Sequence, residues 1–149
     1  GLFYRAFVNE KLLRYNFARL DYQNLLVLVP GNFQAQLGLA LLNEKDKHYT
    51  EAYDGINSLI EQYPDSAMAY AARGGMEKER GMLELAEFDY AKAMELDAGN
   101  EDFAFNHVDI LIQLGRKDEA YRDLKKLLDA GCQPGRLQNF YARLKKKKK

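Results

Sequence analysis

The chain has no tryptophan, three prolines, two histidines and one cysteine among its 149 residues. A lone Cys132 excludes an intrachain disulfide and any cysteine-cluster metal site. No apolar run approaches the ~18 residues that a bilayer span requires, and no secretory signal peptide opens the sequence. The first residues are Gly1-Leu2 rather than Met. This leans the expected localisation toward an exported or periplasmic chain with its leader removed, and otherwise toward a cytoplasmic one. No phosphate-cradling GxGxxG or GxxxxGK pattern occurs. Apolar residues do not alternate with period two over any useful length, so no strand is expected.

Net charge is also lacking: 22 basic residues balance 22 acidic ones. Five of the basic residues form the terminal run Lys145–Lys149, so the remaining body has 17 basic against 22 acidic residues, a net of −5. Such a body does not have the basic face of a general nucleic-acid binder. The tail could attract nucleic acid, anionic lipid or an acidic protein, or be a solvated end after the last helix.

What the chain does have is a period. Ala18, Ala52, Ala86 and Ala120 are evenly spaced, with a period of 34. Four residues later stand Tyr22, Ile56, Tyr90 and Leu124, and three further on Leu25, Leu59, Ala93 and Leu127. Pro30, Pro64, Ala98 and Cys132 keep the same interval, and Gly81 and Gly115 sit five residues before their alanines. Within each unit the apolar steps are three and four, the spacing of a helix. Breakers close the second half of each unit: "VPGN", "YPDS", "DAGN" and "AGCQPG". Proline stops a helix, and glycine or asparagine accepts the left-handed conformation of a helix end. A short polar turn such as "KERGML" or "LGRKDE" separates the halves. Each unit therefore reads as two antiparallel helices joined by a tight turn. They must cross closely near the turn, where only a methyl fits between the axes. Helix propensity alone would not place alanine at a fixed interval.

This pattern resembles the tetratricopeptide repeat (TPR), a 34-residue helix–turn–helix. The best match is Ala67–Asn100, with Tyr70, Gly74, Gly81, Ala86, Tyr90 and Ala93 at the family's places. In the unit before it, Leu39-Ala40 take the seventh and eighth places, with Leu37-Gly38 offering a competing register. The first unit matches well only in its second half; its first helix, Leu2 to about Leu12, matches poorly. Arg5 and Arg73 occupy the family's apolar seventh place, and Asn9, Asn43 and Glu77 its aromatic eleventh. The resemblance implies an all-α fold, a right-handed α-α superhelix (solenoid) of about four TPR-like helix–turn–helix units plus a C-terminal capping helix. The units would be residues 1–32, 33–66, 67–100 and 101–134, the capping helix 135–145, and the lysine tail 145–149, all in one domain.

Catalytic chemistry finds little material. His48 falls in a turn, and His107 falls at a seventh place, where a packed, satisfied histidine is expected rather than a catalytic one. Cys132 stands at a helix end in the proline column, where a structural thiol is expected. The acids Glu101 and Asp102 open a helix, where they suit its dipole and Asn100 can cap it. The "RGGM" pair of glycines reads as room for close helix approach. No catalytic, metal or cofactor residues are assigned, and no cofactor is expected.

The resemblance implies non-catalytic protein binding, an adaptor or scaffold that holds a peptide or partner helix in a concave groove. The Lys and Asn set with which some family members grip a terminal carboxylate is missing at the matching places. The groove residues expected to carry binding are Phe3, Phe7, Leu37, Leu41, Phe105 and Ile112, with Asp102 and Asp109 setting polarity. For each the alternative is packing between neighbouring units. A rival role is self-association, a homodimer through the apolar edge of Leu2, Phe3, Tyr4, Phe7 and Val8. Polyanion binding through the lysine tail comes third.

Overall fold

Three side chains set the phase of the helices. Asn32, Ser66 and Asn100 each stand in extended backbone and accept a hydrogen bond from the N–H three residues on, at 2.8 Å from Ala35, 3.2 Å from Ala69 and 3.2 Å from Phe103. Such a cap satisfies one of the orphan donors of a helix start. A computed structural model describes residues 11–146, with side chains from Arg14 onward. Among these residues there are eight α-helices and no strand. They are α1 (Lys11–Leu28), α2 (Phe33–Lys45), α3 (Tyr49–Gln62), α4 (Ala67–Glu79), α5 (Leu83–Leu96), α6 (Glu101–Gln113), α7 (Lys117–Asp129) and α8 (Gln138–Lys145), the last preceded by a 3-10 turn, Pro134–Leu137. The capped helices begin at 33, 67 and 101 and their partners at 49, 83 and 117, both series at the interval of the alanines. None of the described helices is long and apolar enough to cross a membrane.

The turns repeat as faithfully as the caps. Lys47, Gly81 and Gly115 take positive φ of 63°, 77° and 77°. The next N–H reaches back five residues each time, His48 to Asn43 at 2.8 Å, Met82 to Glu77 at 2.8 Å and Arg116 to Leu111 at 2.9 Å. This is the Schellman closure of a helix end, which glycine enters without a Cβ penalty. Just beyond each turn the alanine column is sealed: Ala52, Ala86 and Ala120 are fully buried, while Ala18 is half-buried. Ile56, Tyr90 and Leu124, one turn on, are buried too.

The chain divides into two compact units, Gly1–Asp65 and Ser66–Lys149. In the first, α2 packs between α1 and α3. Arg19 ties α1 to the end of α2 through Asn43 (3.0 Å) and Asp46 (2.7 Å). The Tyr63 hydroxyl donates to the Gly31 carbonyl, and its ring meets Phe33 edge-on. At residues 11–14 the helix is continuous, whereas the equivalent residues around Lys47, Gly81 and Gly115 form a turn. Leu13 stands in that place, so neither a glycine nor a breaker interrupts "KLLR".

In the second unit α4 packs on α5, α5 on α6, α6 on α7, and α8 returns to α6. Its core runs from Ala71, Ala86, Tyr90, Ala93 and Ile110 to Val108, Leu111, Leu124, Leu137 and Leu144. Gly74 lets α5 come close: a Cβ there would lie 2.9 Å from the Tyr90 ring.

Candidate functional site

In the second unit the seventh residue of each helix pair is basic, and each finds an acid on the facing helix. Arg73 of α4 donates from Nε and Nη2 to the two oxygens of Asp89 on α5, both at 2.8 Å, and Asp89 is only 1% exposed. His107 of α6 meets Asp123 of α7 through Nδ1, and its Nε2 lies 2.8 Å from Glu87 of α5. His107 thus binds acids on both neighbouring helices. Arg116 extends the chain of charges, lying 3.2 Å from Glu87 and 2.7 Å from Glu119. Burial disfavours the imidazolium, but hydrogen bonds to Asp123 and Glu87 and their negative charge outweigh it and hold His107 above its ordinary value of 6.5.

His107 and Asp123 lie in the wall of a cleft of about 800 Å³ bordered by α5, α6 and α7. Met94, Ala104 and Leu127 give it an apolar surface; Glu95, Asp102 and Lys126 bring charge to it. Asp102, expected in a binding groove, is exposed and belongs to this cleft.

Phe105, Asp109 and Ile112 come together on the face of α6 that meets the C-terminal segment. The Phe105 ring is 6.0 Å from that of Phe140, with the Arg136 guanidinium 4.6 Å from the Phe105 centroid. Ile112 packs, half-buried, against the cluster that Leu137 and Leu144 complete. Asp109 sits between two cations, Lys78 at 2.7 Å and Arg143 at 2.6 Å. Burial raises its pKa, but the hydrogen bonds from Lys78 and Arg143 outweigh that and bring it below 3.8. The chain's own α8 therefore occupies much of this face.

In the first unit Leu37 is buried in the core, while Leu41 is 38% exposed. Leu41 borders a depression of about 400 Å³ between α1 and α2, with Tyr15, Tyr22 and Gly38 in its wall and Arg14 and Lys45 beside them. Phe3 and Phe7 lie outside the described residues, as do Leu2, Tyr4, Val8, Arg5, Asn9 and the last three lysines. Of the expected groove residues that are described, Leu41 borders the α1–α2 depression, Asp102 the α5–α7 cleft, and Phe105, Asp109 and Ile112 the covered face of α6, while Leu37 belongs to the core.

Sequence reasoning singled out Arg73 and His107 but missed their acids. The signal was there: Asp21, Asp89 and Asp123 keep the phase of the repeat, and Arg5, Arg73 and His107 keep it sixteen residues earlier. Where the second unit of the repeat has Leu39 instead of a base, it has Gly55 instead of the acid. Among the described residues no group of three or more His, Cys, Asp or Glu could hold a metal ion. Cys132 is buried, its thiol pushed up in pKa by burial and then by Glu101. No protein-family model matches the chain, and no curated protein matches it.

Proposed function

We propose that this chain is a non-catalytic protein-binding module of tetratricopeptide type, an adaptor or scaffold whose paired helices form a right-handed superhelix. The observation that carries the reading is the common phase of three independent devices. N-caps at Asn32, Ser66 and Asn100, turns at Lys47, Gly81 and Gly115, and sealed alanines at Ala52, Ala86 and Ala120 all recur at one interval. Units of this kind bury their apolar faces against neighbours, and the surface left over is a binding surface. The groups best suited to chemistry have partners already: both ring nitrogens of His107 meet carboxylates, and Cys132 is buried.

Leu41 at 38% and Met68 at 52% exposure are the apolar anchors of this reading, each on the first helix of its pair. Peptides selected from a random display library on the immobilised chain test it. Each selected peptide should be weakened about tenfold or more by Leu41→Asp or by Met68→Asp, a change of about 1.4 kcal/mol or more. A library that yields no enriched peptide, or peptides that both variants bind as well as the wild-type chain does, overturns it.

A second reading, self-association, draws on the apolar surface of α1. Leu20, Val27 and Leu28 are 51%, 80% and 79% exposed. Sedimentation equilibrium separates the two: a strict monomer at high concentration removes self-association, and Val27→Glu with Leu28→Glu should dissociate a dimer.

A further inference from the structure

His107 invites a comparison within the chain. One period earlier its place is held by Arg73, whose charge is permanent in the accessible pH range. Arginine there makes a fixed tie between two helices. Histidine makes a tie among three, because Nε2 also reaches Glu87 while Nδ1 reaches Asp123. A neutral imidazole has one N–H and can donate to only one of these acids; the imidazolium donates to both. His107 and Asp123 form part of the wall of the α5–α7 cleft.

We propose that His107 is a pH-operated latch: its imidazolium closes α5, α6 and α7 on one another through Glu87 and Asp123, and loss of the proton loosens that junction and the cleft beside it. The surrounding charges fit this role. From α5, Glu87 faces the ring. From α7, Asp123 faces it directly; Glu119 lies nearby but is drawn to Arg116, which shares Glu87. From α8, Arg143 engages Asp109 and not the latch. α6 itself carries no lysine or arginine to neutralise the two acids in place of His107. Lys126 and Glu95 border the same cleft.

The sign follows from the environment. The native pKa lies above 6.5, so the latch contributes its full stability below that pH. The contribution is lost as pH rises through the native value. Arg73–Asp89 supplies a built-in contrast, because an arginine's charge is permanent.

Imidazole NMR tests the proposal on the wild-type chain, since the only other histidine is the exposed His48, assigned through His48→Gln. His107 should titrate above 6.5, and Glu87→Gln should lower its midpoint. Amide exchange, expressed as protection factors, reads the opening. Across α6 and α7 protection should fall roughly tenfold for each pKa unit by which the native value exceeds 6.5, while α2 and α3 stay level. His107→Arg should abolish the pH dependence if it folds. A midpoint at or below 6.5, or α6–α7 protection that stays constant through the titration, overturns the latch.

Discussion

The Arg73 guanidinium clasps the Asp89 carboxylate through two bonds of 2.8 Å, and the His107–Asp123 pair stands in the same relation one period later. Asp89 is almost wholly buried, and the clasp gives each of its oxygens a donor. Breaking one partner of a buried pair strands the other. Arg73→Ala should therefore cost about 3–5 kcal/mol in urea unfolding at neutral pH. Arg73→Lys keeps the charge but loses the fork, and its loss should be smaller. A cost for Arg73→Ala under about 1 kcal/mol, the value of an exposed pair, would contradict the assignment.

The alanine column makes a graded prediction. Ala86 and Ala120 are fully buried where two helices cross, whereas Ala18 is half-buried. Leucine at Ala86 or Ala120 has to push the axes apart and should cost about 1–3 kcal/mol or more. Ala18→Leu should cost less. Denaturant midpoints of the three variants, compared at constant slope, check the order.

Two glycines inside helices should respond oppositely to alanine. At Gly55 of α3 the added Cβ would meet Ala40 Cβ at 3.6 Å, an ordinary contact. Gly55→Ala should then stabilise the chain by about 0.5–1 kcal/mol through helix propensity. At Gly74 of α4 the same carbon would lie 2.9 Å from the Tyr90 ring, itself 6% exposed and unable to swing aside. Gly74→Ala should destabilise by about 1–3 kcal/mol. Thermal melts of the two variants decide, and equal signs would contradict the packing described.

Asp109 predicts an acid limb. Its carboxylate, between Lys78 and Arg143, ionises below 3.8, so it stabilises the fold above that pH and the contribution is lost as pH falls through the native value. Asp109→Asn should cost about 1–2 kcal/mol at neutral pH, and the gap to wild type should close in acid. Limited proteolysis should also reach α8 sooner in the variant, because Arg143 loses its anchor.

Much of the fold was legible because the repeat is written in residues whose reasons are local. Alanine at 18, 52, 86 and 120, glycine at 81 and 115, and the caps and breakers between units all report backbone geometry. Lys47 was harder: it takes the turn that glycine takes at 81 and 115, with nothing in its type to announce a positive φ. The candidate site was less legible because it depends on which helix returns to which. Phe105, Asp109 and Ile112 do share a face, but Phe140 and Arg143 come back to meet it. Spacing along one helix cannot reveal that. The basic–acidic pairs were readable in principle, since Arg73 with Asp89 and His107 with Asp123 keep the same separation.

The central claim is that equivalent helix pairs recur at a single fixed interval, and backbone NMR chemical shifts of the full chain test it most directly. The account predicts helical shifts starting together at 33, 67 and 101 and again at 49, 83 and 117, with left-handed shifts at Lys47, Gly81 and Gly115. Extended shifts within those segments, or helix starts that fall out of the common phase, would contradict it.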